Sequence, residues 1–389
     1  MNSVQISRLL VVLLVPSSFS SHAQEITLLR GPAYTEAEGR EKLAEKAELY
    51  NDRASWQQRA DLLRAGVRRG LQLEKLPKPC DLNAIRRDKR EMDGYTVENI
   101  AFESLPGFWV TGNLYLPAEF TGKIPGVLNP HGHLGNGRMQ EYMQKRCAAQ
   151  ARMGAAAFCY DMIGYGESTQ CEHRRYQVQR LQTYNSIRAL DFLGSLGFID
   201  EDRLAVTGES GGGTQTFLLA AIDDRIDVSV PTVQVSAHFF GGCECESAMP
   251  IHKTKDYETN NVEIAALVAP KPMMLISDGG DWTLNTPEVE YPHIKRIYSF
   301  FNADDNVENA HFPTEGHDYG PSKRAAAYHF LAKQLGLNLK AIENSSGTID
   351  ESFVKVLPQD DLRVFTAEHP RPDHAIDCEQ AIGLLNKGG

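Results

Sequence analysis

VTGESGGGTQ, residues 206–215, sets one serine, Ser210, between two glycines in the pattern G-x-S-x-G. Before it stands RLAVTG, a short apolar run that reads as a strand, and after it TQTFLLAAI reads as a helix. A nucleophile elbow needs this context, because a strand turning directly into a helix lifts the serine hydroxyl to the sheet's upper edge. The backbone at such a serine is strained. Residues two before and two after it must be small for the turn to close, and Gly208 and Gly212 fill those places. The tripeptide GES also occurs at 166–168, in GYGESTQ, but that copy lacks the second glycine and reads as part of a loop. Only Ser210 meets both conditions.

A serine hydroxyl is a weak nucleophile until a base takes its proton. Further along the chain come an acid and then a histidine. Asp281 lies in SDGGDWT, just beyond the apolar run PMMLIS, and His317 lies in PTEGHDYG, before a last helix. Asp278 competes with Asp281 for the role of acid. Loops at the carboxyl ends of strands in an open α/β sheet line one crevice, so the three residues can converge there. His317 would then serve as general base and later as acid, with Asp281 holding its tautomer. The backbone N–H of Gly211 would form half of an oxyanion hole. The other half is expected from NPHGHLG, at the N–H of His133 or Gly132. The side chains of His131 and His133 read as structural rather than as metal ligands.

The surrounding pattern predicts an α/β fold. Residues 35–70 read as two helices, the second with Trp56, Ala60, Leu63 and Val67 on one apolar stripe. Pro-rich LPKPC, 76–80, reads as a linker. YTVENIAFE and GFWVTGNLYLP alternate with period two and predict an antiparallel strand pair. GVLN, AAAFCYD, RLAVTG, VSVPTVQV and PMMLIS then alternate with helical stretches, which implies a mostly parallel sheet covered on both faces. The expected domains are a leader at 1–23, a helical extension at 24–79, a catalytic domain at 80–337 and a polar tail at 338–389 with one strand-like piece, FVKVL.

The bulk properties bound the partners. MNSVQISRLLVVLLVPSSFSSHAQ has the layout of a secretory signal peptide, cleaved after Ala23, which predicts a periplasmic or secreted protein. Its apolar run is far short of the roughly 20 residues a membrane-spanning helix needs. A formal charge of −11 argues against a nucleic-acid partner, since phosphate binding needs clustered Lys and Arg. Seven cysteines are too few for a disulfide-stapled scaffold. Cys243 and Cys245, in FFGGCECES, suggest a metal clip, but no second cysteine pair completes four ligands. A disulfide from one of them to Cys171 is one expectation, and small packed thiols are the other. The stretch 248–268, with His252, Lys253 and Tyr257, is where a lid would fit. Trp282 reads first as core and second as a pocket wall.

HGH at 131–133, DMIGYGES at 161–168, GESGGG at 208–213, DGGDWT at 278–283 and EGHDYG at 315–320 follow in the order of α/β-hydrolases. Over roughly Tyr95 to Leu337 the chain resembles the acetyl xylan esterase and dienelactone hydrolase-like branch. That resemblance implies the α/β-hydrolase fold and a serine ester hydrolase with no metal or organic cofactor. It also implies Ser210, Asp281 and His317 as triad, Gly211 and His133 at the oxyanion site, and turn-shaping roles for Asp161 and Gly164. A serine nucleophile disfavours dienelactone hydrolysis. Gly211, where glucuronoyl esterases carry arginine, disfavours that activity. An acylated carbohydrate is the expected substrate. A prolyl-oligopeptidase-like peptidase and a non-catalytic binding protein are the alternatives.

Overall fold

The computed structural model describes residues 28–387; the segment read as a leader, 1–23, lies outside them. Among the described residues nine strands form a single sheet: β1 (Ile85–Glu91), β2 (Tyr95–Leu105), β3 (Phe108–Pro117), β4 (Ile124–Pro130), β5 (Ala156–Tyr160), β6 (Ile199–Glu209), β7 (Val228–Thr232), β8 (Met273–Asp278) and β9 (Val307–Phe312). Their spatial order is β1-β2-β3-β5-β4-β6-β7-β8-β9. The β1-β2-β3-β5 pairings are antiparallel, and every pairing from β5 to β9 is parallel. This is the α/β-hydrolase architecture expected from the sequence. The helices are α1 (Glu36–Ala47), α2 (Arg53–Gly70), α3 (Glu141–Arg152), α4 (Val178–Ser195) and α5 (Gly211–Ile222) in the first half. In the second half come α6 (Glu244–Ser247), α7 (Asn261–Ala266), α8 (Glu290–Ser299), α9 (Pro321–Leu335) and α10 (Cys378–Lys387).

The helical extension is held by its own sequence signals and by packing. Thr35 and Glu38 form a capping box for α1, and Asp52 and Ser55 form one for α2. The predicted stripe of Trp56, Ala60, Leu63 and Val67 is buried in the main core. From the other side of α2, Arg64 donates to the carbonyls of Ala221 and Leu267, and Arg68 to that of Ile222. These arginines satisfy carbonyls at and just beyond the C-terminal ends of α5 and α7, which have no partner within their own helices. Glycine at 66 lets the Tyr257 ring reach the α2 backbone; a Cβ there would lie 2.2 Å from it. Residues 248–268 are therefore a packed brace and not a lid. His252 is buried on Asn261 (2.7 Å), and Tyr257 Oη donates to Ile251 O.

Three elements escape the sequence patterns. β1 is mostly charged (IRRDKRE) because it is an edge strand, where charge on the open side blocks further pairing. The other edge, β9 (VENAHF), is too polar to stand out, and α8 precedes it. The tail 338–389 contains no strand at FVKVL; Val354 and Leu357 instead plug into the cluster around Tyr95 and Met143. Its later part covers the outer face of β2 and β3. Asn99 and Asn113 on those strands donate to the carbonyls of Asp361, Leu362 and Arg363, so both faces of β3 are buried. At the end of the tail, Cys378 in α10 is disulfide-bonded to Cys171, with Cα atoms 4.5 Å apart. That corrects the expected pairing of Cys171 with Cys243 or Cys245. Among the described residues no helix is long and apolar enough to cross a membrane.

Candidate active site

β6 runs straight into α5 with Ser210 as the one residue between them. Ser210 has φ 55° and ψ −123°, a backbone state that only a tightly determined turn sustains. The tightness is measurable. A Cβ at position 208 would lie 2.5 Å from the Pro130 carbonyl oxygen, and one at 212 would lie 2.6 Å from the same atom. α5 is buried over all its residues, so nothing in the turn can relax outward.

Ser210, His317, Gly132, His133 and Tyr142 line one cavity of about 290 Å³. His317 Nδ1 lies 2.6 Å from Asp281 Oδ2. The other oxygen of Asp281 accepts from the N–H and the hydroxyl of Thr283, at 2.6 and 2.5 Å, so the carboxylate is held in place. Asp278 is engaged elsewhere. It is fully buried, 3.1 Å from Lys323 Nζ, and burial followed by the charge of Asp281 pushes its carboxyl up from the ordinary range. Lys323, in the first turn of α9, also binds Gly316 O (2.6 Å) and Asp318 (2.7 Å), and so staples the EGHDYG loop that carries His317. Ser210 and His317 face the same cavity without a direct hydrogen bond, a separation that closes only around substrate in many hydrolases. Trp282 is half-buried and not core: it stacks on Phe239 (3.9 Å between centroids) and leans on the His317 ring at 4.6 Å.

The two candidate oxyanion donors now separate. The N–H of Gly132 donates to Glu209 Oε1 at 2.7 Å, whereas that of His133 donates to no described protein group. Gly211, first residue of α5, likewise has a free N–H at the positive end of the helix. Glu209 was missed by motif reading. Its carboxylate is buried and joins three elements, accepting from Gly132 N–H, from Tyr142 Oη and from Arg146 (2.8 Å). Arg146 in turn packs over the Tyr319 ring at 4.5 Å. The signal was an acid next to the nucleophile, which once buried demands a cation.

His131 is structural, as expected: fully buried, with its Nε2 accepting from Met162 N–H at 2.9 Å. His133 is not. Its imidazole turns to Cys243 and Cys245, with Nε2 3.0 and 3.1 Å from their sulfurs. It also fills the space beside Gly211, where an added Cβ would lie 2.5 Å from His133 Cε1. An arginine at 211 would need the His133 ring and the Met162 methyl to shift. Burial alone would pull the His133 imidazole down, but its hydrogen bond to Cys243 and nearby acids raise it. The hydrogen bond from Cys245 draws the Cys243 thiol far down against burial, and His133 and His173 add to this.

Residues 72–251 match the family model described as acetyl xylan esterase (AXE1). The solved structure of Methylesterase BT1017 is 40% identical, covers 92% of this chain and 80% of its own, and superposes with a TM-score of 0.85. The chain belongs to the acetyl xylan esterase-type branch of the α/β-hydrolases. This chain is thus an ester hydrolase. YtaP, a hydrolase-type protein of Bacillus subtilis (strain 168), is 25% identical over 175 residues, or 39% of this chain. The esterase spans 57% of the length of that curated relative. The acetyl xylan esterase of Paenibacillus sp. R4 shares the fold at 18% identity, with a TM-score of 0.50 over 71% of this chain and 94% of its own.

Proposed function

We propose that this esterase hydrolyses an ester carried by a carbohydrate, with Ser210 as nucleophile, His317 as general base and Asp281 orienting it. The strained elbow at Ser210, facing the Asp281-held His317 across one cavity, carries the reading. His317 Nε2 takes the Ser210 proton as Oγ attacks the ester carbonyl. The negative charge that develops on the carbonyl oxygen is met by the N–H groups of Gly211 and His133. Collapse expels the alcohol, which takes the proton back from His317 and leaves an acyl-serine. Water, deprotonated by the same imidazole, then releases the acid and restores Ser210. Each oxyanion donor contributes about 3–4 kcal/mol, by analogy with measured cases. The protein acts in the periplasm or outside the cell in this reading, supported by the leader-like 1–23 and by the Cys171–Cys378 disulfide.

Acetyl removal from a polysaccharide is the first reading, supported by the family match. A second is favoured by the 40% identity to a methylesterase: on a sugar, a methyl ester is the ester of a sugar acid. The test incubates the protein and Ser210→Ala with acetylated xylan and with methyl-esterified polyuronate, and measures acetate and methanol. Acetate lost in the variant supports the first reading, and methanol lost in the variant the second. Release that persists in Ser210→Ala overturns the nucleophile assignment.

A further inference from the structure

His133, His173, Cys243 and Cys245 meet in space from three separate segments. His133 comes from the loop after β4, His173 from the loop before α4, and the cysteines from the turn that opens α6. Their four donor atoms all lie within 4.8 Å of one another. The contacts are close: His133 Nε2 to the two sulfurs at 3.0 and 3.1 Å, His173 Nε2 to Cys243 Sγ at 3.3 Å, and sulfur to sulfur at 2.9 Å. The two sulfurs are not bonded, since a disulfide sits at about 2.05 Å. The second pair of ligands that the sequence lacked as cysteines is supplied by histidines.

We propose that these four residues bind one zinc ion as a closed, tetrahedral structural site that holds the oxyanion loop beside the nucleophile. Two thiolates and two imidazoles are a zinc donor set, and the two thiolate charges neutralise the dication. With Zn–S near about 2.3 Å and Zn–N near about 2.0–2.1 Å, donor separations run about 3.3–3.8 Å, which these atoms reach with shifts on the order of 1 Å. The outer shell is already built. His173 Nδ1 lies 2.8 Å from the carbonyl oxygen of Ile163, and donating its proton there leaves the Nε2 lone pair facing Cys243. Tyr165 packs edge-on against both imidazoles, at centroid distances of 6.0 and 4.8 Å. Glu246 accepts from the N–H groups of Gly242 (2.8 Å) and Cys243 (3.2 Å), which shapes the turn that presents the sulfurs.

Four protein ligands leave no open position for water or substrate, so the ion acts by position. Its ligand His133 lines the cavity and has a backbone N–H without a described protein partner, and its imidazole packs on Gly211. Zinc would therefore clamp both oxyanion donors. Zinc binding is independent of the Ser210 assignment; only the positioning role of His133 rests on it.

The experiment uses the full chain without a polyhistidine tag, loaded with zinc chloride and freed of excess by gel filtration. Metal content is read by plasma mass spectrometry, and cobalt replaces zinc for absorption spectra. About one zinc per chain is expected in the wild type and in Ser210→Ala, and less than about a tenth of that in Cys243→Ser/Cys245→Ser and in His173→Ala. Cobalt should give intense tetrahedral d–d bands and a thiolate charge-transfer band in the wild type. A folded wild type with no zinc and no thiolate–cobalt band overturns the site, and so does a Cys243–Cys245 disulfide found by thiol titration and peptide mass mapping. For the positioning role, His173→Ala should lower kcat on p-nitrophenyl acetate by at least about tenfold with KM little changed. An unchanged kcat in zinc-free His173→Ala overturns that role while the metal content still decides the site.

Discussion

The tripeptide Gly-Glu-Ser occurs twice, at 166–168 and 208–210, and the two copies do different work with the same parts. In both, the glutamate is buried against a buried arginine: Glu167 with Arg138, Glu209 with Arg146. The partners beyond the arginine differ. Glu167 accepts from the N–H groups of Val364 and Phe365 and so ties the tail to the sheet. Glu209 accepts from Gly132 and Tyr142 and so ties the oxyanion loop to the elbow. The serines differ more. Ser168 closes a loop turn through its backbone, with Gly164 N–H donating to its carbonyl at 2.9 Å. Ser210 stands between a strand and a helix with positive φ and faces a cavity. A buried acid beside a serine is thus a structural rivet in both places; chemistry comes from what the strand and helix do around the serine.

The largest expected effect separates the serines. Ser210→Ala should lower kcat/KM on p-nitrophenyl acetate by about 10³-fold or more. Ser168→Ala should leave it within a factor of about three. Equal losses in steady-state assays would erase the distinction.

The glutamates come next. Glu209→Ala should destabilise the protein by about 3–5 kcal/mol in urea melts, because it leaves buried Arg146 unpaired, and Glu167→Ala by less, because Arg138 keeps its ion pair with buried Asp161. Only Glu209→Ala should also lower kcat of the folded protein, since only Glu209 holds the oxyanion loop. Glu167→Ala should instead speed amide hydrogen exchange around 362–365. A kcat loss in both variants would show that the two rivets are mechanically linked.

The smallest effect uses a third buried glutamate as control. Glu290 accepts from Ala237 N–H at 3.0 Å, and its other carboxylate oxygen has no partner. Burial pushes its carboxyl up from 4.5 to about 7. The folded state thus keeps a proton that the unfolded chain gives up, so this stability is complete below about pH 4.5 and is lost as pH rises through about 7. Glu290→Gln should match the wild type at pH 4.5 and exceed it at pH 8, by at most about 3 kcal/mol. A gain independent of pH in thermal melts would place the effect in packing instead.

The central frame of the fold was legible because its signals are local. Strand β6, the turn at Ser210 and helix α5 lie in consecutive residues, and the glycines at 208 and 212 answer a steric demand within a few ångströms. Asp281 was legible over Asp278 only as a preference. The structure separates them through Lys323, which comes from α9 and neutralises Asp278. The edge strands β1 and β9 were illegible because an edge needs no apolar alternation. The brace at 248–268 passed for a lid because nothing local records that α2 fills the space beneath Tyr257.

By itself the sequence determined the doubly covered parallel sheet, the strained serine turn, and the chain order of serine, acid and histidine. Each depends on steric and periodic rules that act between near neighbours. Tertiary structure alone decided which cysteine meets Cys171, what the tail covers, and that His133 and His173 complete a four-donor cluster with Cys243 and Cys245. Those outcomes join residues far apart in the chain, and a pairing made by packing leaves no periodic trace in either partner.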